Sequence, residues 1–412
     1  MKKTLLQIDI MMLSLMIITL PSIEAPKNFF LVGYLLTRVT NEILEWKKIK
    51  IKWNQWDSLF FSIVVTAFLS TLFAGMSHLE EWKGYKVLLS AILTGWFLSR
   101  AQYSRENYQG LFKLIVLGAL PPLVWGLYQY FILHTKQSLE LHSVGHVNHS
   151  AIYLVMIFGA SLGWFLSYFY SDKFKIKVSR LYLGVLGILS IIFFISLIIS
   201  QSRGAYGVGI ILGLLIFNYV SKSKIIKLIG NVSIVLIVLL SIIFKTGVIE
   251  KQISNQEANN VLSFRDKVWN VSLEASRFSP LLGIGLSNWH FITIDQLKKS
   301  VEDRGEKFDA NNYWFPGHSH NLYLSALVER GILGLMITLI FMLLWFRHLI
   351  KTYYWAAKSQ ESIRLWSGSL SAWVATFGIG FVNTTFHHEH AILACLFLGI
   401  YLSYTRQYRS KK

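Results

Sequence analysis

RLYLGVLGILSIIFFISLIISQSRGAYGVGIILGLLIFNYV, residues 180–220, decides the fold. Two apolar runs, 181–200 and 205–221, are separated only by Gln201-Ser202-Arg203-Gly204, and neither run holds a charged side chain. Each has the length, about 17–25 residues, that carries a helix across a hydrocarbon core. A helix satisfies its own backbone hydrogen bonds inside lipid, which an open sheet does not do. The stretch therefore predicts two antiparallel membrane helices joined at one surface by a turn that presents an arginine.

Working outward, the same pattern recurs along the chain. Apolar segments fall near 4–20, 27–44, 56–75, 84–101, 111–133, 150–170, 181–200, 205–221, 228–245, 320–346, 366–386 and 391–405, in a sequence that is 53% hydrophobic and 15% aromatic. The expected fold is an all-α polytopic membrane protein with about twelve transmembrane helices. Residues 1–25 resemble a secretory leader in having Lys2 and Lys3 before an apolar run. Asp9 interrupts that run, however, and its removal would leave an odd number of spans, so it is taken as the first span.

The formal net charge of +18 is organised by topology. Lys47, Lys48, Lys50 and Lys52 fall in loops on one side, as do Lys173, Lys175, Lys177 and Arg180, and the tail Arg406, Arg409, Lys411 and Lys412. The short loops of the other side are poor in Lys and Arg. Basic loops remain in the cytoplasm, so both termini are expected there. The basic excess thus points to topology and anionic lipid, not to nucleic acid. The single cysteine, Cys395, lies in the last apolar run and excludes a disulfide framework or a cysteine metal centre.

One segment departs from the rhythm. Residues 245–319 contain no run able to span, and their acidic and basic residues balance. Three regions follow: helices 1–9 over 1–244, a large periplasmic loop over 245–319, and helices 10–12 with a cytoplasmic tail over 320–412. Within the loop, VLSFRDKVWNVSLEASRF (261–278) puts Val261, Phe264, Val268, Val271 and Leu273 towards one side at roughly helical spacing. PLLGIG (280–285) breaks that helix, and a second short helix is expected over 287–305. Long ordered loops are usually functional, which places the chemistry here.

Three groups of residues could carry it. Arg203 sits at the outer end of two spans, where it either binds an anionic headgroup or reaches out to lipid phosphate. Arg265, in FRDKVW, offers a planar fork suited to phosphate, or pairs with a carboxylate such as Asp266. His318 and His320, in FPGHSHNLYL (315–324), can take up a proton near neutral pH, with Asn321 placed to cap a helix or orient a histidine. Glu329, about two turns further on, is assigned a structural role. HHEH (387–390) could join His318 and His320 in a metal site, since imidazole and carboxylate are ordinary zinc ligands; it lacks HExxH and any distinctive ligand spacing, so it reads as a polar external turn and neither a metal nor a cofactor is assigned. His146, Asn148 and His149 are weaker candidates for the same cavity.

Taken in order, these motifs resemble the bacterial O-antigen ligase/polymerase superfamily. The resemblance runs through Gln201-Ser202-Arg203-Gly204, Arg265 with Trp269, Pro280-Leu281-Leu282-Gly283-Ile284-Gly285, His318-Ser319-His320-Asn321-Leu322-Tyr323-Leu324 and Glu329-Arg330-Gly331-Ile332-Leu333-Gly334-Leu335. It is strong over 145–347 and only topological elsewhere. It is closest to the ligases that join O-antigen to lipopolysaccharide core. The resemblance implies a GT-C-like, metal-independent, inverting glycosyltransferase of the bacterial inner membrane, working at the periplasmic face. Its donor would be an O-antigen glycan on undecaprenyl diphosphate and its acceptor a sugar hydroxyl of lipid A–core. Arg203 and Arg265 would hold the diphosphate with help from Asn321. His320 would be the base, with His318 as second choice or orienting partner.

Three other readings stand beside this one. Some polymerases of the superfamily carry a glycine sixteen residues after paired arginines, whereas this chain has Tyr219 and Leu281 there. A protein O-oligosaccharyltransferase would share the same catalytic segment. A transporter or lipid-linked sugar flippase would put its charges at mid-membrane and repeat its halves. Here the ionisable groups gather at one end, and no repeat is evident.

Overall fold

A computed structural model of the chain describes residues 2–46, 52–76, 78–142, 144–169, 178–257, 260 and 262–409. Val261 and the basic residues Lys47, Lys48, Lys50, Lys173, Lys175, Lys177, Lys411 and Lys412 lie outside the described residues. Among the described residues the secondary structure is helical, with no strand.

The first half comprises α1 (Lys2–Thr19), α2 (Glu24–Trp46), α3 (Gln55–Leu72), α4 (Glu80–Arg100), α5 (Arg105–Gly118), α6 (Leu120–Phe131), α7 (Val147–Ser167), α8 (Arg180–Ile199), α9 (Arg203–Val220) and α10 (Lys224–Ile243). Three shorter helices follow: α11 (Gly247–Glu257), α12 (Arg265–Ala275) and α13 (Ile294–Glu302). The chain ends with α14 (Leu322–Ala356), α15 (Gln360–Ile379) and α16 (His388–Arg409). Every apolar segment marked in the sequence thus carries a helix. The fifth is divided into α5 and α6 at Ala119, just before Pro121 and Pro122, which lack the N–H that would continue the ladder.

Seven helical stretches are long and apolar enough to cross a membrane by length and composition: α3, α5 with α6, α7, α8, α9, α10 and α14. The other long helices fall short of that measure, and the charges on several of them are paired between helices. Arg38 on α2 meets Asp9 of α1 at 3.7 Å and Glu42 at 2.7 Å, while Arg100 on α4 meets Asp57 of α3 at 2.8 Å. Lys27 and Glu389, both buried, join α2 to α16. A buried charge is costly unless paired, so these helices depend on their neighbours.

At the centre stands α7, apolar on all sides and 94% buried over its spanning window, packed against α8, α9, α15 and α16. A helix apolar all round belongs inside a bundle. By contrast α10 is only 17% buried and lies at the periphery.

The segment between α10 and α14 has a core of its own, built from Val268, Val271, Ala275, Ile284, Trp289, Ile292 and Leu297, with Val328 contributed by α14. The expected helix is shorter than 261–278, and its buried face is 268–271–275. Phe264 and Leu273 do not join that face; they are 42% and 50% exposed. Phe264 caps α12 in a left-handed conformation, and Leu273, two residues beyond Val271, points about 200° around the helix from it. The second expected helix is confined to Ile294–Glu302, after a capping box from Thr293 and Gln296.

α14 is broken once. Gly331, at φ 65° and ψ −167°, leaves helical geometry, and the PLLGIG strap docks into the gap. The strap's Ile284 N–H donates to Val328 O at 2.9 Å and Gly285 N–H to Glu329 O at 3.0 Å, while Ile332 N–H donates back to Pro280 O at 2.8 Å. Contact is so close that a Cβ on Gly283 would lie 2.3 Å from the Glu329 carbonyl carbon, and one on Gly331 would lie 2.3 Å from that of Leu281. Two motifs far apart in sequence are one backbone joint.

Candidate active site

The site gathers at one end of the bundle, where α7, α9, α14 and α16 begin, α15 ends, and α11 and α12 cover them. Arg203 opens α9 after Ser202, which follows Gln201, whose φ is 56°. Its guanidinium is held by neutral side chains of the covering segment: Gln252 on α11, Ser263 Oγ at 2.6 Å, and Asn255, whose amide oxygen, turned inward, accepts from both Nη atoms at 3.1 Å. Beside it, Ser202 Oγ donates to Asn148 Oδ1 at 3.0 Å, fixing this turn to the start of α7.

Arg265 opens α12 after two residues in left-handed conformation, Ser263 and Phe264. Its Nε donates to Val382 O at 2.9 Å and its Nη1 to Leu262 O at 3.3 Å. Among the described residues no carboxylate lies within ion-pair distance of it, Asp266 included. Burial, and then the charge of Arg203, hold its guanidinium below its ordinary pKa. Lys251 is likewise pulled down by burial and by both arginines. Two arginines and a lysine thus repel one another here, which makes the spot attractive to a multiply charged anion.

His318 and His320 face each other with ring centres 4.0 Å apart. His320 adopts φ 47°, and its Nδ1 is buried without a hydrogen-bond partner among the described residues. Burial, His318 and Arg265 push its pKa down to about 3, partly opposed by Asn383. His318 is lowered by burial, His146, His388 and Arg265. Both rings are therefore neutral at pH 7, with a nitrogen lone pair available.

Asn321 serves as the cap of α14. Its Oδ1 accepts from Tyr323 N–H at 2.9 Å and Leu324 N–H at 3.0 Å, and its Nδ2 donates to Phe381 O at 3.0 Å. Both ends of its amide are thereby engaged by the fold. Glu329 is buried in the joint, where Oε1 accepts from Ser287 N–H at 3.2 Å.

Sequence reasoning marked HHEH in the turn between α15 and α16 but missed the part of that turn at 380–383. Gly380 O accepts from Leu322 N–H at 2.8 Å, Phe381 O from Asn321, Val382 O from Arg265, and Asn383 reaches His320. Gly204 also packs on it, since a Cβ there would sit 2.7 Å from Val382. The available signal was FVNTTFHHEH (381–390), a dense polar string between two apolar runs.

A cavity of about 450 Å³ opens beside these groups, with His149, His318, Ser325, Glu329, His387 and His388 in its wall. Arg203, Arg265 and His320 are not part of that wall, so the arginines flank the cavity without lining it. Five of the non-glycine residues with positive φ (Gln201, Ser263, Phe264, His320 and His388) lie in or next to the site. Such backbone strain concentrates where a fold serves function.

The protein thus combines membrane-spanning helices, a histidine-lined cavity at one end of the bundle, and a cationic cluster beside that cavity. Residues 188–339, from α8 into α14 and less than half of the chain, match the family model described as O-antigen ligase, and this stretch supports a relation to the O-antigen ligase/polymerase superfamily. The match spans Arg203, Arg265, both His318 and His320, and the strap joint. The family consists of glycosyltransferase-like proteins acting on lipid-linked sugars and lipid acceptors. No curated protein matches the chain.

Proposed function

We propose that the chain is an O-antigen ligase of the bacterial inner membrane. It would carry twelve spans, counting α5 with α6 as one, with both termini in the cytoplasm and the 245–319 loop in the periplasm. The donor is an O-antigen glycan on undecaprenyl diphosphate and the acceptor is a sugar hydroxyl of lipid A–core. The observation that carries this reading is the convergence of Arg203 and Arg265 beside neutral His318 and His320, with Arg265 acting electrostatically on both rings.

The chemistry follows from that arrangement. The acceptor oxygen bonds to the anomeric carbon on the face opposite the diphosphate. The anomeric C–O bond breaks and its electron pair leaves with undecaprenyl diphosphate. Arg203 and Arg265 stabilise the charge that grows on the leaving phosphate, where fixed donors act most strongly. His320 takes the hydroxyl proton, with His318 as its orienting partner. A base with a pKa near 3 is weak, but a bound diphosphate offsets the field of Arg265 and raises it, so base strength arrives with the donor. Asn321 contributes by fixing the turn that carries both histidines. The reaction as drawn uses no metal.

The test is transfer by purified protein, with undecaprenyl-diphosphate-linked O-antigen, lipid A–core and EDTA, comparing wild type with His320→Ala. Glycan transfer to lipid A–core that is lost in the variant supports the ligase. Elongation of the lipid-linked chains with lipid A–core ignored assigns the same site to a polymerase. Absence of both products with competent donor overturns the enzyme reading in favour of transport.

A further inference from the structure

A second histidine group stands in the wall of the same cavity. We propose that His149, His387 and His388 bind one divalent transition-metal ion of the zinc class. One ring nitrogen from each lies within 4.8 Å of the others. His149 comes from the first turn of α7, and the other two from the entry into α16. Bonds of about 2.0–2.1 Å in a tetrahedral site put ligand nitrogens about 3.4 Å apart. Closure therefore requires a contraction of up to about 1.4 Å, which rotation of the exposed His388 side chain can supply. The chemistry of the set favours zinc, copper or nickel, because it offers imidazoles only; calcium and magnesium take oxygen ligands. Glu389, the acidic member of HHEH, is committed to Lys27.

An independent observation points the same way. His390 is 0% exposed, its ring 5.3 Å from His149 and 5.0 Å from His387. Neither of its nitrogens has a hydrogen-bond partner among the described residues, and nor does Nδ1 of His387. Buried polar groups without partners are rare and commonly mark the place of an ion or an ordered water. His390 is the nearest further nitrogen donor to complete the coordination. His388 holds φ 53°, a conformation that side chains seldom adopt, which aims it back at the group. The site does not rest on the transfer reading, since Arg203, Arg265, His318 and His320 are not ligands and the transfer as drawn needs no metal.

The experiment uses the untagged full-length chain in detergent micelles, stripped with EDTA and titrated with Zn²⁺ against a chromophoric chelator. Wild type should take up one equivalent, and His149→Ala and His387→Ala should each weaken binding by about 100-fold or more. His320→Ala should bind as wild type. Co²⁺ in place of Zn²⁺ should give the visible absorption of a tetrahedral nitrogen site. His388→Asn changes an exposed side chain, so it provides a folded variant should His387→Ala misfold, and it too should lose affinity. Failure of wild type to bind one equivalent, binding unchanged in both His149→Ala and His388→Asn, or equal loss in His320→Ala would each overturn the proposal.

Discussion

Substituting Gly331 by alanine tests whether the joint between the strap and α14 is a backbone-to-backbone fit. Its φ of 65° and ψ of −167° fall in a region that essentially only glycine occupies, which for another residue costs about 1–3 kcal/mol. The added Cβ would stand 2.3 Å from both the carbonyl carbon and oxygen of Leu281, and a main chain held by hydrogen bonds cannot swing aside as a side-chain tip can. Overpacking of this kind adds about 1–3 kcal/mol. The joint should therefore lose about 2–6 kcal/mol locally. Unfolding of a membrane protein is seldom reversible, so hydrogen exchange read by mass spectrometry is the better assay. Exchange of the Ile284, Gly285 and Ile332 amides should accelerate by about 30-fold or more, since each 1.4 kcal/mol is a factor of ten. Gly305→Ala is the control: it has a φ of 78° but nothing within 4 Å, so it incurs backbone strain without the clash. If Gly331→Ala leaves those amides as protected as Gly305→Ala does, the joint is not a steric fit and the reasoning fails.

Three further outcomes are expected. Arg265→Lys keeps the charge but loses the fork and the Nε bond to Val382, so kcat/KM for transfer should fall about tenfold or more while Arg265→Ala falls further; equal rates for wild type and lysine would show that charge alone suffices. For His320, a folded pKa near 3 against about 6.5 when unfolded means that the native state resists protonation, so its contribution to stability weakens as pH falls below about 6.5; correspondingly, kcat/KM should show no acid limb from this group near pH 6.5, while kcat, which reports the donor complex, should show one at higher pH than kcat/KM does. Glu274 carries burial that would raise its pKa, but bonds from Arg304 at 2.5 Å and Ser300 at 2.5 Å lower it. Its contribution to the loop is present above the ordinary carboxylate pKa and lost as pH falls through the lowered value, so proteolysis of the loop should rise in acid for wild type and change less with pH for Glu274→Gln.

Much of this protein was legible in the sequence because lipid imposes a simple rule. Apolar runs of spanning length announce helices, and a helix is present at each expected segment. Arg203, His318 and His320 stood out for a related reason: ionisable groups at the ends of apolar runs need an explanation that apolar residues do not, whereas Arg265, inside the loop, stood out through the family resemblance. The polar turn at 380–387 was harder to weigh, because its contribution is made mainly through main-chain carbonyls, which no side-chain pattern reports.

The same distinction separates the two sources of information at the strap. Sequence by itself determined that PLLGIG cannot continue a helix, a local property of proline and glycine. Only the tertiary structure decided that the two glycines face each other's backbones, that Asn321 is engaged at both ends as a cap, and that His149 stands beside His387 and His388. Local preference depends on neighbours along the chain and can be read in order. Proximity between residues more than two hundred positions apart depends on how α7 seats within the bundle, and that packing is set by the whole core at once.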